Sequence, residues 1–217
     1  MKVTTDASLF GAWVASLQIN AIHVLDIGAG TGLLSLMVAQ KNDATIKAIE
    51  IDTSCYEQLN ENIRLSPWNN RCNAVNQDIR EYESDKSFEL IISNPPFFER
   101  QLTSPSHGVN LARHEEGLSF TSLFFHAKKL LHKEGYFFVL IPSNRKEETI
   151  ELAKQVDLFP HFIVEVKQSP MHDTFRYMIG FKATPIEIKS EVITIRNAHN
   201  EYTTRFTELL KDYYLFL

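Results

Sequence analysis

Cysteine is scarce in this 217-residue sequence, with Cys55 and Cys72 the only two. Two thiols are too few for a disulfide framework or a zinc site and read as reduced residues of a cytoplasmic protein. The eight histidines are scattered without a pair at metal-ligand spacing, so no metal is expected. No run approaches the ~20 apolar residues that a membrane span needs, and the start of the chain lacks the form of a signal peptide. Positive charge is also short. With 22 Lys+Arg against 27 Asp+Glu the net charge is −5, which argues against a broad basic coat for nucleic acid. A local basic groove on an acidic body stays compatible with that balance. Neither a repeat nor a Pro/Gly/Ser-rich linker divides the chain, so residues 1–217 are expected to form one domain.

What is present is an alternation of short apolar runs with helical patterns, the mark of a parallel sheet with helices on both faces. The expected strands are His23–Asp26, Thr45–Glu50, Asn73–Gln77, Phe88–Ser93 and Tyr136–Ile141. Helices are expected at the start (Leu9, Phe10, Trp13, Val14) and over Gly32–Gln40, Ser54–Leu65 and Leu118–Lys133. In the last of these, Phe120, Leu123, Phe124, Ala127, Leu130 and Leu131 share one face. Ser54 followed by Glu57 has the spacing of a capping box. Beyond a helix at Lys146–Val156, the strands Phe162–Val166, Arg176–Lys182 and Glu187–Arg196 point to an antiparallel finish.

Four elements carry chemistry. Asp26-Ile27-Gly28-Ala29-Gly30-Thr31-Gly32 lies between a strand and a helix, where glycines let backbone approach a ligand and turn sharply. Its spacing is tighter than the dinucleotide G-x-G-x-x-G, and Asp26 would disfavour a pyrophosphate. An acid there suits a ligand bearing an ammonium and a sulfonium. Glu50 closes the second strand, where a carboxylate accepts both hydroxyls of a ribose; Asp52 is the alternative. Asp78-Ile79 follows the third strand, placing a carboxylate for an adenine amino group and an apolar face for its ring. Asn94-Pro95-Pro96-Phe97 follows the fourth. The prolines stiffen the backbone, so that the Asn94 side-chain oxygen and the Pro95 carbonyl form two fixed acceptors. Such a pair holds the hydrogens of an exocyclic amine and turns its lone pair toward a donor methyl, with no general base. Phe97 offers a face on which a flipped base stacks.

With these elements in place the sequence resembles the amino-methyltransferases that carry an N-P-P-[FY] signature, and among them the tRNA1(Val) (adenine-N6)-methyltransferase family. The resemblance runs over essentially the whole chain: Lys2-Val3, Thr5-Asp6, Gly11-Ala12-Trp13, Ser66-Pro67-Trp68, Ile91-Ile92-Ser93, Ala112-Arg113-His114, Ile195-Arg196, Tyr202-Thr203 and Tyr213-Tyr214-Leu215. It implies a class I methyltransferase fold, Rossmann-like, with a seven-stranded, mostly parallel sheet ending in an antiparallel hairpin. It also implies S-adenosylmethionine as cofactor, a tRNA as substrate, and methylation of the adenine beside the anticodon. The cofactor pocket would then comprise Asp26, Gly28, Ala29, Gly30, Thr31, Gly32, Glu50, Ile51, Asp78, Ile79 and Asn94, and the reacting amine would meet Asn94, Pro95, Pro96 and Phe97. Members of the family carry a short basic, aromatic segment before the equivalent of Lys2, which this sequence does not show.

Other residues stay open between two roles. Thr5 and Asp6 either cap the first helix or flank the donor pocket. Arg113 and His114, in the aperiodic stretch 98–117, either clamp RNA over the site or are plain surface groups. Lys128, Lys129, His132 and Lys133 read as charges complementing a helix C-terminus. Arg145, Lys146 and Arg176 are further candidates for phosphate contacts. Rival readings are a guanine-N2 rRNA or protein glutamine-N5 methyltransferase, and an RNA-binding scaffold that has kept the fold without activity. No obligate protein partner is expected.

Overall fold

A computed structural model of the chain describes residues 3–96 and 118–216. Its centre is an eight-stranded sheet in the order β3-β2-β1-β4-β5-β7-β6-β8. The strands are β1 (His23–Ile27), β2 (Thr45–Glu50), β3 (Cys72–Asn76), β4 (Phe88–Ser93), β5 (Leu131–Pro142), β6 (Phe159–Lys167), β7 (Thr174–Lys182) and β8 (Lys189–Thr194). The helices are α1 (Thr5–Ser16), α2 (Leu33–Lys41), α3 (Thr53–Leu65), α4 (Phe120–Leu130), α5 (Lys146–Gln155) and α6 (Thr204–Leu210).

Strands β3, β2, β1, β4 and β5 run parallel, and β7 turns antiparallel between β5 and β6. The expected seven strands are eight. Strand β8 adds in parallel to the outer side of β6, so the antiparallel hairpin does not end the sheet. It is shorter than the run Glu187–Arg196, because the chain leaves the sheet into a turn in which Asn200 has a φ of 64°.

Side chains alternate across the pleat, and this divides the core into two. On one side Val24, Ile46, Ala48, Leu90, Ile92, Phe138 and Met178 pack with α1, α2, α3 and α6. On the other, Leu25, Ile27, Ile49, Ile91, Val139 and Phe181 meet Leu123, Phe124 and Ala127 of α4 and Ala153 of α5. Near-continuous apolar strands are what a sheet covered on both faces requires.

Local signals place the helix starts. Asp52, rather than Ser54, caps α3: its carboxylate accepts from the Cys55 amide at 2.8 Å. The capping-box reading of Ser54 and Glu57 is two residues out of register, since Ser54 already lies inside the helix. Thr5 is likewise the first residue of α1, whose cap position is Thr4. Helix α6 is additional to the expected elements; the Thr203 hydroxyl accepts from the Phe206 amide at 3.3 Å to start it. Among the described residues no helix is long and apolar enough to cross a membrane, and no group of three or more His, Cys, Asp and Glu is placed to hold a metal.

Candidate active site

The carboxyl ends of β1, β2, β3 and β4 lie side by side on one edge of the sheet, and each carries one of the expected elements. The glycine loop leaves β1 and folds over the end of β2: the Gly28 and Ala29 amides both donate to the Ile49 carbonyl at 2.9 Å. Gly28 and Gly32 hold φ values of 70° and 87°, a left-handed backbone that side chains resist. At Gly32 a Cβ would also lie 2.6 Å from Leu59, so the helix α2 starts there only with glycine. The Thr31 carbonyl is held by the Asn62 side chain at 2.9 Å.

Glu50 is buried under this loop. One oxygen accepts from the Gly30 amide at 2.7 Å and the other from the Asp52 amide at 2.9 Å. Each oxygen keeps a second lone pair for hydroxyl donors. The carboxylate therefore holds the glycine turn in shape as well as facing the edge. Asp52, the alternative acceptor, caps α3 through one of its oxygens. Ile51 beside Glu50 is 58% exposed, an apolar face presented to the edge.

Asp26 departs from the sequence reading. It is the penultimate residue of β1 rather than part of the loop, and it is completely buried. One oxygen accepts from the Ser35 amide and hydroxyl at 3.1 and 2.7 Å; the other has no partner among the described residues. Burial pushes its carboxyl up to about 7, against the lowering effect of the two Ser35 bonds and with a small further push from Glu50.

At the end of β3, Asn76 and Gln77 tie the chain back to β2: the Asn76 side chain donates to the carbonyls of Glu50 and Ile51, and the Gln77 amide to that of Glu50. This sets Asp78 beside Glu50. Ile79 turns inward, 4% exposed, and anchors the turn in the core of the α4 side. It supports the edge from beneath, while Ile51 is the exposed apolar face. Arg80 grips the Asp78 carboxylate and holds its carboxyl below the usual range.

At β4 the Ser93 hydroxyl donates to the Ile27 carbonyl at 2.8 Å, which pins the strand's end to β1. The next residue, Asn94, continues the alternation of Leu90 and Ile92 toward the α1 side, the side of Asp26 and Glu50. Its side-chain oxygen is buried and has no partner among the described residues. Pro95 is buried and Pro96 exposed. Phe97, Arg113 and His114 lie outside the described residues.

Asp6 and Arg176 are unrelated in the sequence reading, and the fold joins them: Arg176 Nε donates to Asp6 at 2.8 Å. Because β7 runs antiparallel, Arg176 comes to the same edge as Asn94, paired with Pro142. Thr5 makes no cap bond there. Arg145 is paired with Glu148 and lies 3.8 Å over the Phe120 ring, and Lys146 stands over Tyr177. Sequence reasoning missed Ser35 and Arg80. Each is a partner rather than a motif residue. Only Arg80 had a local signal, a donor two residues after an Asp in a turn.

The architecture, with three acids and an asparagine at successive strand ends, defines a class I methyltransferase fold. It is similar to a predicted O-methyltransferase of Agrobacterium tumefaciens, with a TM-score of 0.71, 16% identity and 94% and 95% of the two chains covered. It is also similar to the glycopeptide N-methyltransferase MtfA solved with S-adenosylmethionine, with a TM-score of 0.61, 10% identity and coverage of 82% and 87%. The methyltransferase small domain family matches residues 12–162. A tRNA1(Val) (adenine(37)-N6)-methyltransferase of Phocaeicola vulgatus is 37% identical over 215 residues, 99% of this chain and 91% of that one. The chain belongs to the tRNA1(Val) (adenine(37)-N6)-methyltransferase family.

Proposed function

We propose that this protein transfers the methyl group of S-adenosylmethionine to the exocyclic N6 of adenine 37 in tRNA1(Val), the reaction named for its relatives. The single observation that carries the chemistry is the Asn94 oxygen, a buried acceptor without a partner among the described residues, at the site edge before two prolines. An unpaired buried acceptor costs roughly 1–3 kcal/mol, which a substrate donor recovers.

S-adenosylmethionine supplies an electrophilic methyl on a sulfonium. The chain's residues do the rest. Glu50 accepts the ribose hydroxyls, Ile51 covers the adenine, Asp78 accepts from its amino group, and the open oxygen of Asp26 receives the ammonium. Asn94 and the Pro95 carbonyl hold the two hydrogens of the target amine, and the nitrogen leaves the ring plane with its lone pair toward the methyl. The Asp26 and Asn94 oxygens, each without a partner among the described residues, suit two different molecules, the cofactor with its ammonium and the substrate with its reacting amine. We place the work in the cytoplasm, with the tRNA as partner.

Transfer of tritium from labelled S-adenosylmethionine to total tRNA from a strain lacking the enzyme tests this reading. Nucleoside analysis is expected to give N6-methyladenosine at position 37 of tRNA1(Val). Methylated guanine in rRNA, or methylated glutamine in protein, would redirect it to a sister reaction.

Glu50→Ala removes an acceptor and also frees the Gly30 amide that shapes the loop. S-adenosylmethionine affinity is expected to fall about 10- to 100-fold, the loss of one or two charge-assisted hydrogen bonds. Calorimetry on the folded variant checks it, and an unchanged dissociation constant removes Glu50 from the pocket. NAD binding in the same titration would overturn the cofactor assignment.

A further inference from the structure

We propose that Arg80 is a positioning residue for the cofactor: by gripping both oxygens of Asp78 it fixes the carboxylate in the orientation that receives an adenine amino group. This rests on the proposed role of Asp78 as the acceptor for that group. The Arg80 amide donates to Asp78 Oδ1 at 2.8 Å, and its guanidinium donates to Oδ2 through Nε at 2.8 Å and Nη2 at 2.5 Å. A carboxylate offers about four lone-pair positions. Oδ2 has both of its positions filled, and Oδ1 has one filled. Among the described residues one acceptor position is therefore left, on the oxygen that the guanidinium does not touch.

The turn around this carboxylate is fixed at both ends. The Gln77 amide is bonded to the Glu50 carbonyl, and the Glu81 amide to the Asp78 carbonyl, while Ile79 is buried between them. With the backbone fixed, the remaining freedom of Asp78 is its own side-chain rotation, and Arg80 removes it. The Asp78 side chain is 15% exposed and that of Arg80 43% exposed, so the carboxylate keeps some access to the surface and the guanidinium lies beside it. A single acceptor position suits a single N–H. Hypoxanthine, which carries a carbonyl in place of the amino group, would set oxygen against oxygen.

Charge works in the same direction. Arg80 stabilises the ionised Asp78, chiefly through the side-chain hydrogen bond, and the carboxyl lies below its ordinary range. The other charged groups near this pair are His126 and Lys129 of α4, with Glu81 beside Arg80. His126 is itself lowered by burial and by Lys129. Glu50 lies on the neighbouring strand end. His126 is coupled to both Asp78 and Arg80, so its titration changes with them, and the pH dependence of the variants lacking Asp78 measures its share.

The test measures S-adenosylhomocysteine binding by calorimetry at pH 7.5 and pH 5 for wild type, Arg80→Ala, Arg80→Lys, Asp78→Ala and the Asp78→Ala/Arg80→Ala double variant. Asp78→Ala is expected to weaken binding about 10-fold or more, and Arg80→Ala by a similar factor. The ratio of Arg80→Ala to wild-type dissociation constants should grow modestly at pH 5, because burial without the guanidinium raises the carboxyl and lets a fraction of it take up a proton. Arg80→Lys keeps a cation without the fork and should recover the pH profile more fully than the affinity. The double variant should bind like Asp78→Ala alone, since Arg80 acts through that carboxylate. S-inosylhomocysteine should bind wild type at least 10-fold more weakly than the adenosine compound, and Asp78→Ala should bind the two alike. If Asp78→Ala binds normally, the adenine reading of Asp78 fails and takes the proposal with it. If Asp78→Ala is weakened while Arg80→Ala binds like wild type at both pH values, or the two effects add in the double variant, Asp78 keeps its role and Arg80 loses the one assigned here.

Discussion

Asn94→Ala is expected to lower kcat about 10²- to 10³-fold while KM for tRNA and cofactor affinity move little, the signature of losing one preorganised polar contact made in the transition state. An aromatic amine has its lone pair drawn into the ring and is a weak nucleophile. Its two hydrogens become better donors as the nitrogen turns tetrahedral, so acceptors fixed in place gain strength along the reaction. The Asn94 oxygen is fixed in this way: Ser93 ties the strand end to Ile27, and Pro95 and Pro96 stiffen the backbone on the other side. It is buried with no partner among the described residues. Asn94→Asp keeps an acceptor in the same place and should retain more activity than the alanine variant. Single-turnover methyl transfer to tRNA, with fold and cofactor binding checked for both variants, decides the matter. A wild-type rate in Asn94→Ala would mean that the amine is activated elsewhere.

The frame of this site was legible because its signals are local. The runs Thr45–Glu50 and Phe88–Ser93 match β2 and β4 residue for residue, since their mostly apolar, buried residues stand out between polar turns. Helix α4 was legible from its apolar face, although it starts two residues later than expected, at Phe120, and Leu131–Lys133 belong to β5 rather than to the helix. The hidden part depends on partners distant in sequence. The burial of Asp26 follows from α2 packing over β1, and Ser35 is identified only once that helix is in place. The pairing of Asp6 with Arg176 spans 170 residues and needs the antiparallel β7 to exist. Strand β8 was expected within Glu187–Arg196, but its polar sequence on an outer edge left its ends unmarked. Ile79 was expected beside the adenine ring, and its burial in the turn after β3, among the core residues of the α4 side, was not legible from the sequence.

Asp26→Asn is expected to make the ligand-free protein more stable at pH 8 and to weaken S-adenosylmethionine binding at the same time. The wild-type carboxyl is raised from an ordinary value near 3.8 to about 7, first by burial and then by the charge of Glu50, with Ser35 opposing. In the unfolded chain the group ionises near its ordinary value, and in the fold only near neutrality. Between those limits the folded state holds the extra proton, so stability from this group falls as pH rises from about 4 to about 7 and is level above. Three pH units correspond to on the order of 4 kcal/mol, an upper figure for a fully buried acid. An asparagine oxygen still accepts from the Ser35 amide and hydroxyl, and carries no charge to bury. Its melting temperature should therefore exceed that of wild type by several degrees at pH 8 and converge with it near pH 4. The function of the strained acid appears in binding. An ammonium placed against the open oxygen stabilises the carboxylate, so cofactor binding near pH 7 should release part of a proton, seen as a binding enthalpy that depends on the buffer's ionisation heat. The variant should show no such release and bind about 10-fold more weakly. If Asp26→Asn melts like wild type across the pH range and binds S-adenosylmethionine equally well in both buffers, the carboxylate neither destabilises the free protein nor meets the ammonium.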